Sequence, residues 1–257
     1  MILTVDINNT SVVFAVMEDT KALIMTRLSS DKSRTADEYA VLLELAFRQR
    51  GFDIRNVEGA IISSVVPPLT AAIKDAVLLV TGCSPLIVGP GVKTGLNIRL
   101  DDPTELGGDF VASAVAAIAE YPMPSVIVVM GTAIAMGILD KAGNYVGGII
   151  SAGPMVSQEA LARGASMLSN VSVSPTPQVI CKSTNTCMQS GLVHGSAALI
   201  DGLLERVEAE LGEPVSVIVT GDWAETISPH CKRQGLIHDK EILMRGLAMI
   251  YKKNKRA

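Results

Sequence analysis

A chain of 257 residues, 48% apolar but only 4% aromatic, can bury sizeable cores and must fill them with Ala, Val, Ile, Leu and Met, which excludes a disordered or fibrous protein. With 22 Lys and Arg against 26 Asp and Glu, the net charge of −4 offers no global attraction to nucleic acid or to an anionic membrane, so neither is an expected partner. Cys83, Cys181, Cys187 and Cys231 lack the paired spacing of a metal site, Asp6 interrupts any secretory run, and no apolar stretch is long enough to span a membrane; a cytoplasmic protein with free thiols is expected.

In chain order, residues 2–17 read as a hairpin of two apolar strands around the turn Asp6-Ile7-Asn8-Asn9-Thr10. Asn tolerates a tight turn, but turn chemistry does not explain a carboxylate at the end of an apolar strand. A place for Asp6 beside a metal-bound phosphate, with contacts from Asn9 and Thr10, would explain it. A third strand is predicted over 22–28 and a polar loop over 29–34. Thr35-Ala36-Asp37-Glu38 forms a capping box opening a helix with Ala40, Leu43 and Phe47 at helical spacing. A strand over 57–66 is stopped by Pro67-Pro68, with Ser63 and Ser64 either packed or lining a cleft. A helix over 69–81 and a short strand over 85–89 follow, so an initial meander and then alternating strands and helices predict an α/β domain.

Residues 101–110, Asp-Asp-Pro-Thr-Glu-Leu-Gly-Gly-Asp-Phe, set a carboxylate behind two glycines at the mouth of an apolar helix over 110–120. Thr104 can cap, Gly107 and Gly108 permit close backbone approach, and Asp109 is either a simple helix-capping carboxylate or the centre of the chemistry. What favours chemistry is a repeat: residues 126–140 copy the first hairpin as strand, Thr-bearing turn, strand and polar turn. Two such hairpins facing each other across a cleft could grip phosphates from both sides. The helix over 110–120 is apolar nearly all round, which predicts burial between domains or against a second subunit.

Beyond the repeat, Gly147, Gly148 and Gly153 permit further close approach. Helices are expected over 157–168, 187–211 and 241–253, with a strand over 216–221. The polar loop 169–186 is long enough to be functional. His194, His230 and His238 have no ligand-spaced partners, Trp223 reads as packing, and Lys252-Lys253-Asn254-Lys255-Arg256 reads as a solvated end. The division expected is 1–115 and 116–257.

Taken together, Asp6-Ile-Asn-Asn-Thr10, Ser63-Ser-Val-Val-Pro-Pro-Leu-Thr70, Asp102-Pro-Thr-Glu-Leu-Gly-Gly-Asp109, Gly131-Thr-Ala133, Tyr145-Val-Gly-Gly148, Thr184 with Met188-Gln-Ser-Gly191, and Thr220-Gly221 resemble the type III pantothenate kinases over essentially the whole chain. The resemblance implies an α/β protein of two ribonuclease H-like (actin-like ATPase) domains with a cleft between them. It further implies a homodimer and ATP-dependent phosphorylation of pantothenate, the first step toward coenzyme A. On that basis Asp109 is the general base, and Asp6, Ile7, Asn8, Asn9, Thr10, Ser11, Val12, Val13 and Thr132 hold ATP phosphates, with Asp6 also a ligand of Mg. Gly107, Gly108, Asp109, Phe110 and Thr184 line the pantothenate site. The physical demands of phosphoryl transfer, positioning and charge neutralisation, agree.

The departures fall in the same places. The family usually has Gly at Asn8, Asp at Val129, Arg at Phe110, Thr-Thr at Ile134-Ala135, Asp at Gly137 and Gly at Asp222. Val129 removes an expected ligand of the monovalent cation, potassium or ammonium, and Phe110 removes a guanidinium suited to a carboxylate. Three readings stay open: a pantothenate kinase with altered cation and substrate sites, a kinase of a different small substrate, and a catalytically impaired paralogue that binds a ligand or regulates a partner.

Overall fold

A computed structural model of the protein describes residues 1–255 and separates into two units, Met1–Glu120 joined by the segment from Glu241, and Tyr121–Lys240. The sequence expectation of a single cut at 115 leaves the last helix with the second half, whereas here it belongs to the first.

In the first unit, β1 (Ile2–Ile7), β2 (Ser11–Glu18) and β3 (Lys21–Ser29) form the expected meander. Then come α1 (Ala36–Arg48), β4 (Ala60–Ser64), α2 (Pro67–Thr81), β5 (Leu86–Ile87) and α3 (Gly108–Glu120). The sheet order is β3-β2-β1-β4-β5, with β4 parallel to β1. Alternation along β1 sets what each face meets. Leu3, Val5 and Ile7 pack with Tyr39, Leu43 and Phe47 of α1 and Leu69 and Ile73 of α2. Thr4 and Asp6 point to the opposite face, where Ala15, Met17 and Ile61 pack with α3 and with the chain's last helix, α7 (Ile242–Lys255).

The capping box at the start of α1 forms as predicted, Thr35 and Glu38 each accepting from the other's backbone N–H. Pro67 and Pro68 do not merely stop a strand: they occupy the first turn of α2, where a missing N–H leaves nothing unpaired. The predicted cover for α3 is also revised. Gly246 of α7 lies so close to Ala112 that a Cβ would collide with the Ala112 carbonyl, and Val111, Ala112, Ala114, Ala116 and Ala117 are buried in the single chain. The basic tail is solvated and makes exposed contacts, Lys252 pairing with Asp19 at 2.6 Å and Lys253 donating to the Thr94 carbonyl at 2.7 Å; Arg256 lies outside the described residues.

The second unit repeats the plan. It runs β6 (Ser125–Met130), β7 (Ala133–Leu139), β8 (Tyr145–Ala152), α4 (Pro154–Gly164), α5 (Thr184–Leu211), β9 (Ser216–Thr220), α6 (Ala224–Ile227) and β10 (Leu236–His238). Its sheet order, β10-β9-β6-β7-β8, is that of the first sheet when β6 is matched to β1 and β9 to β4. Val126, Val128 and Met130 pack with Ile200 and Leu204 of α5 over one sheet face. A second capping box, Ser183 with Thr186, starts α5 three residues before the predicted position, and Gly212 in the left-handed region ends it. Among the described residues no helix is long and apolar enough to cross a membrane.

Candidate active site

Register places the first cluster. Asp6 stands opposite Val13 of β2 and Ser63 of β4, and Val13 stands opposite Arg27 of β3. Directly paired residues share a sheet face, so Arg27, Val13, Asp6 and Ser63 form one row across the sheet. Asp6 and Ser63 are buried, at 5% and 0% exposure. Asp6 Oδ2 accepts from the Asn8 side-chain amide, whereas Asp6 Oδ1 and Ser63 Oγ have no hydrogen-bond partner, although Ser63 lies near enough to lower the proton affinity of Asp6.

Asp109 joins this row from the start of α3. A Cβ on Gly107 would meet Asp109 Oδ1, and one on Gly108 would lie 3.2 Å from Ser63 Oγ and 3.3 Å from Val88. The two glycines therefore let the mouth of α3 close onto the sheet beside Asp6. Burial pushes Asp6 up to about 7, with the Asp109 carboxylate adding to the effect and Asn8, Ser63 and Arg27 opposing it. Burial likewise raises Asp109, against the backbone N–H groups of Phe110 and of Asp109 itself. Asp109 Oδ1 accepts from Phe110 N at 2.9 Å, yet the net upward shift is the reverse of what a simple helix-capping carboxylate shows. Thr104 does not cap; Asp102 does, accepting from Thr104 N at 2.8 Å.

The remaining residues of the first hairpin divide by exposure. Asn9 and Thr10 are exposed at the turn tip. Ile7 and Val12 are fully buried in the core, so only their backbone can meet a ligand. Ser11 is buried and Val13 half-buried, and Asn8 N donates to Ser11 O at 3.0 Å to close the turn. Phe110 is half-buried at the opening of α3.

In the second unit Thr132 sits exposed at the turn between β6 and β7. Gly153 N donates to Thr132 O at 3.0 Å, and a Cβ on Gly153 would strike the Gly131 and Thr132 carbonyls. Val129 is half-buried on β6 opposite Ala135 and Thr220. It presents no oxygen to a cation, and no group of three His, Cys, Asp or Glu side chains that could hold a metal ion occurs among the described residues. Thr184 opens α5 and, with Ser157, Leu161, Leu168, Cys187 and Met188, lines a cavity of about 430 Å³.

Sequence reasoning left Ser63 undecided and overlooked Arg27, because their place in the row of Asp6 rests on cross-strand register rather than on a local motif. It also set His194 and His230 apart, whereas their rings meet edge to face with centroids 4.6 Å apart.

A family model for type III pantothenate kinase matches residues 2–206. A type III pantothenate kinase from an Exiguobacterium species is 39% identical over 256 residues, covering 100% of both chains, and one from Halalkalibacterium halodurans is 37% identical, covering 99% of this chain and 100% of its own. Among solved structures, a conserved putative Baf family transcriptional activator from Campylobacter jejuni matches with a TM-score of 0.62 at 19% identity, covering 99% of this chain and 100% of its own. A ROK hexokinase from Thermus thermophilus matches at 0.54 and 14%, covering 100% and 99%. These likenesses show the actin-like ATPase and sugar-kinase fold. With the family model and full-length relatives in agreement, this chain belongs to the type III pantothenate kinase family.

Proposed function

We propose that this protein transfers the γ-phosphoryl group of ATP to pantothenate, giving 4′-phosphopantothenate for coenzyme A synthesis. The observation that carries the reading is the pair Asp6 and Asp109, two carboxylates of raised proton affinity at one end of a sheet, one of them with an unpaired buried oxygen. Two buried acids side by side contribute nothing to stability in isolation, and they suit a site that receives a hydroxyl proton and a cation.

Asp109 is the general base. Its raised proton affinity brings it closer to the working pH, the condition under which a carboxylate accepts a hydroxyl proton most effectively. Gly107, Gly108 and Phe110 form the backbone wall beside Asp109 that orients the substrate alcohol, and the family resemblance assigns a substrate contact to the Thr184 hydroxyl of the second unit. The family resemblance assigns the triphosphate to turn N–H groups and hydroxyls of residues 6–13 in the first unit, and to Thr132 in the second. The unpaired Asp6 Oδ1 and Ser63 Oγ fit a hard, oxygen-seeking cation, so they would hold Mg or its water shell. When bound, that ion neutralises charge on the phosphates. Val129 does not fit a monovalent cation, so no role is assigned to potassium or ammonium. A soluble cytoplasmic homodimer completes the reading.

The test is phosphate transfer from ATP to pantothenate by the purified protein, with and without potassium. Turnover lost in Asp109→Asn supports the reading, and absence of turnover at any substrate concentration defeats it. The impaired-paralogue reading is favoured by one contact, the Asn8 amide seated on Asp6. It predicts ligand binding without turnover in the same assay.

A further inference from the structure

Asp6 and Asp109 pose an electrostatic problem. Two carboxylates facing one volume repel a polyanionic nucleotide, so a cation near their row would favour its approach. The cation whose field reaches Asp6 is Arg27. It lies on β3, the outer strand of the sheet, and its register through Val13 puts it in the same row and on the same face as Asp6 and Ser63. Two strand spacings separate Arg27 from Asp6, roughly 10 Å at the usual interval between strands. The intervening Val13 is half-buried and apolar, so it cannot itself compete for an anion. The turn N–H groups and hydroxyls of 8–10 lie just beyond the row, and Ser30 N donates to Thr10 O at 3.1 Å, holding the end of β3 against that turn.

We propose that Arg27 is a nucleotide-binding residue of this enzyme, its guanidinium meeting the terminal phosphates of ATP across the sheet row from Asp6. The inference rests on the assignment of the first hairpin to ATP phosphates. A guanidinium suits the role because its planar fork donates two parallel hydrogen bonds to a phosphate, where an ammonium offers a point charge. Arg27 is exposed on the outer strand, where an incoming phosphate can reach it.

The experiment is calorimetric binding of Mg-ATP, ADP, AMP and adenosine to the unaltered protein, Arg27→Gln and Arg27→Lys. Loss of a charged phosphate contact predicts at least tenfold weaker ATP binding in Arg27→Gln, a smaller loss for AMP, and adenosine unchanged within twofold. Arg27→Lys should recover part of the ATP affinity. Equal losses for ATP and adenosine, or an unchanged ATP affinity in Arg27→Gln, would overturn the proposal. Phosphoryl transfer is read separately. ATP binding that depends on Arg27 without turnover of pantothenate would defeat the substrate assignment and leave this inference standing. Turnover that survives Arg27→Gln with unchanged ATP affinity would do the reverse.

Discussion

Asn8→Gly should tighten nucleotide binding while destabilising the free protein, an opposition that follows from one contact. In the free chain the Asn8 amide donates to Asp6 Oδ2, and a hydrogen bond to a charged or partly charged group contributes about 1.5 to 3 kcal/mol. Removing it leaves Asp6 with neither oxygen satisfied, and glycine adds backbone entropy to the unfolded chain worth about 0.5 to 1 kcal/mol. The variant should therefore lose roughly 2 to 4 kcal/mol in denaturant unfolding without ligand. When Mg-ATP binds, the parent must release Asp6 from Asn8 and swing the side chain out of the turn, a cost the variant does not meet. Up to about 1.5 to 3 kcal/mol returns as affinity, on the order of ten- to a hundredfold. Calorimetry with Mg-ATP, and with adenosine as the control that touches no phosphate site, measures this directly. An Mg-ATP affinity no tighter than the parent's, or an equal gain for adenosine, would refute the claim that Asn8 competes with ligand for Asp6.

Phe110→Arg should sharpen discrimination between pantothenate and its amide analogue, because a desolvated guanidinium opposite a carboxylate is worth about 2 to 5 kcal/mol when broken; steady-state kcat/KM ratios for the two substrates in both proteins check it. Gly153→Ala should lower the thermal midpoint by an amount equivalent to roughly 1 to 3 kcal/mol, since the new methyl meets two backbone carbonyls that cannot rotate away. An unchanged midpoint would show that the turn at Thr132 is looser than described. Arg233→Met should cost about 1 to 3 kcal/mol at pH 7, because Arg233 holds Glu208 through two bonds of 2.8 and 2.9 Å and also donates to Val215 O. Arg233 holds the Glu208 carboxyl below its usual range, so this stabilisation is complete above the unfolded carboxylate pKa and is lost as pH falls through the lower folded value. Urea titrations of the two proteins should draw closer in strong acid, where the Val215 bond remains, and stay furthest apart at neutral pH.

The two hairpins were legible because strand alternation and turn chemistry are local, and the box at Thr35 because it needs only four residues. Gly107-Gly108-Asp109 could be singled out for the same reason, and the structure adds the partner, Asp6, that the spacing of residues cannot give. What stayed hidden depends on distant pairing. Ser63 gains its place only when β4 lies parallel to β1 at one register, and a shift by one residue would turn it to the other face. Proline was misread as a terminator at 67 and 68 because a strand end and a helix start accept it equally. The apolar surface of α3 reads as facing another domain or a second subunit because nothing local reveals that residues 242–250 return to cover it. Short elements such as α6 and β10 carry too few residues for a periodicity.

That return has a consequence for synthesis. The second unit is one continuous stretch of chain, whereas the first holds α3 uncovered until α7, which follows the whole of the second unit, has left the ribosome. During translation the apolar face of α3, with Ala112 awaiting Gly246, is an open surface for the time needed to make about half the polypeptide. Completion of the first unit thereby waits for synthesis of the second. A stop between α3 and α7 would yield a product whose Asp109 stands on an uncovered helix, an apolar surface open to chaperones or proteases.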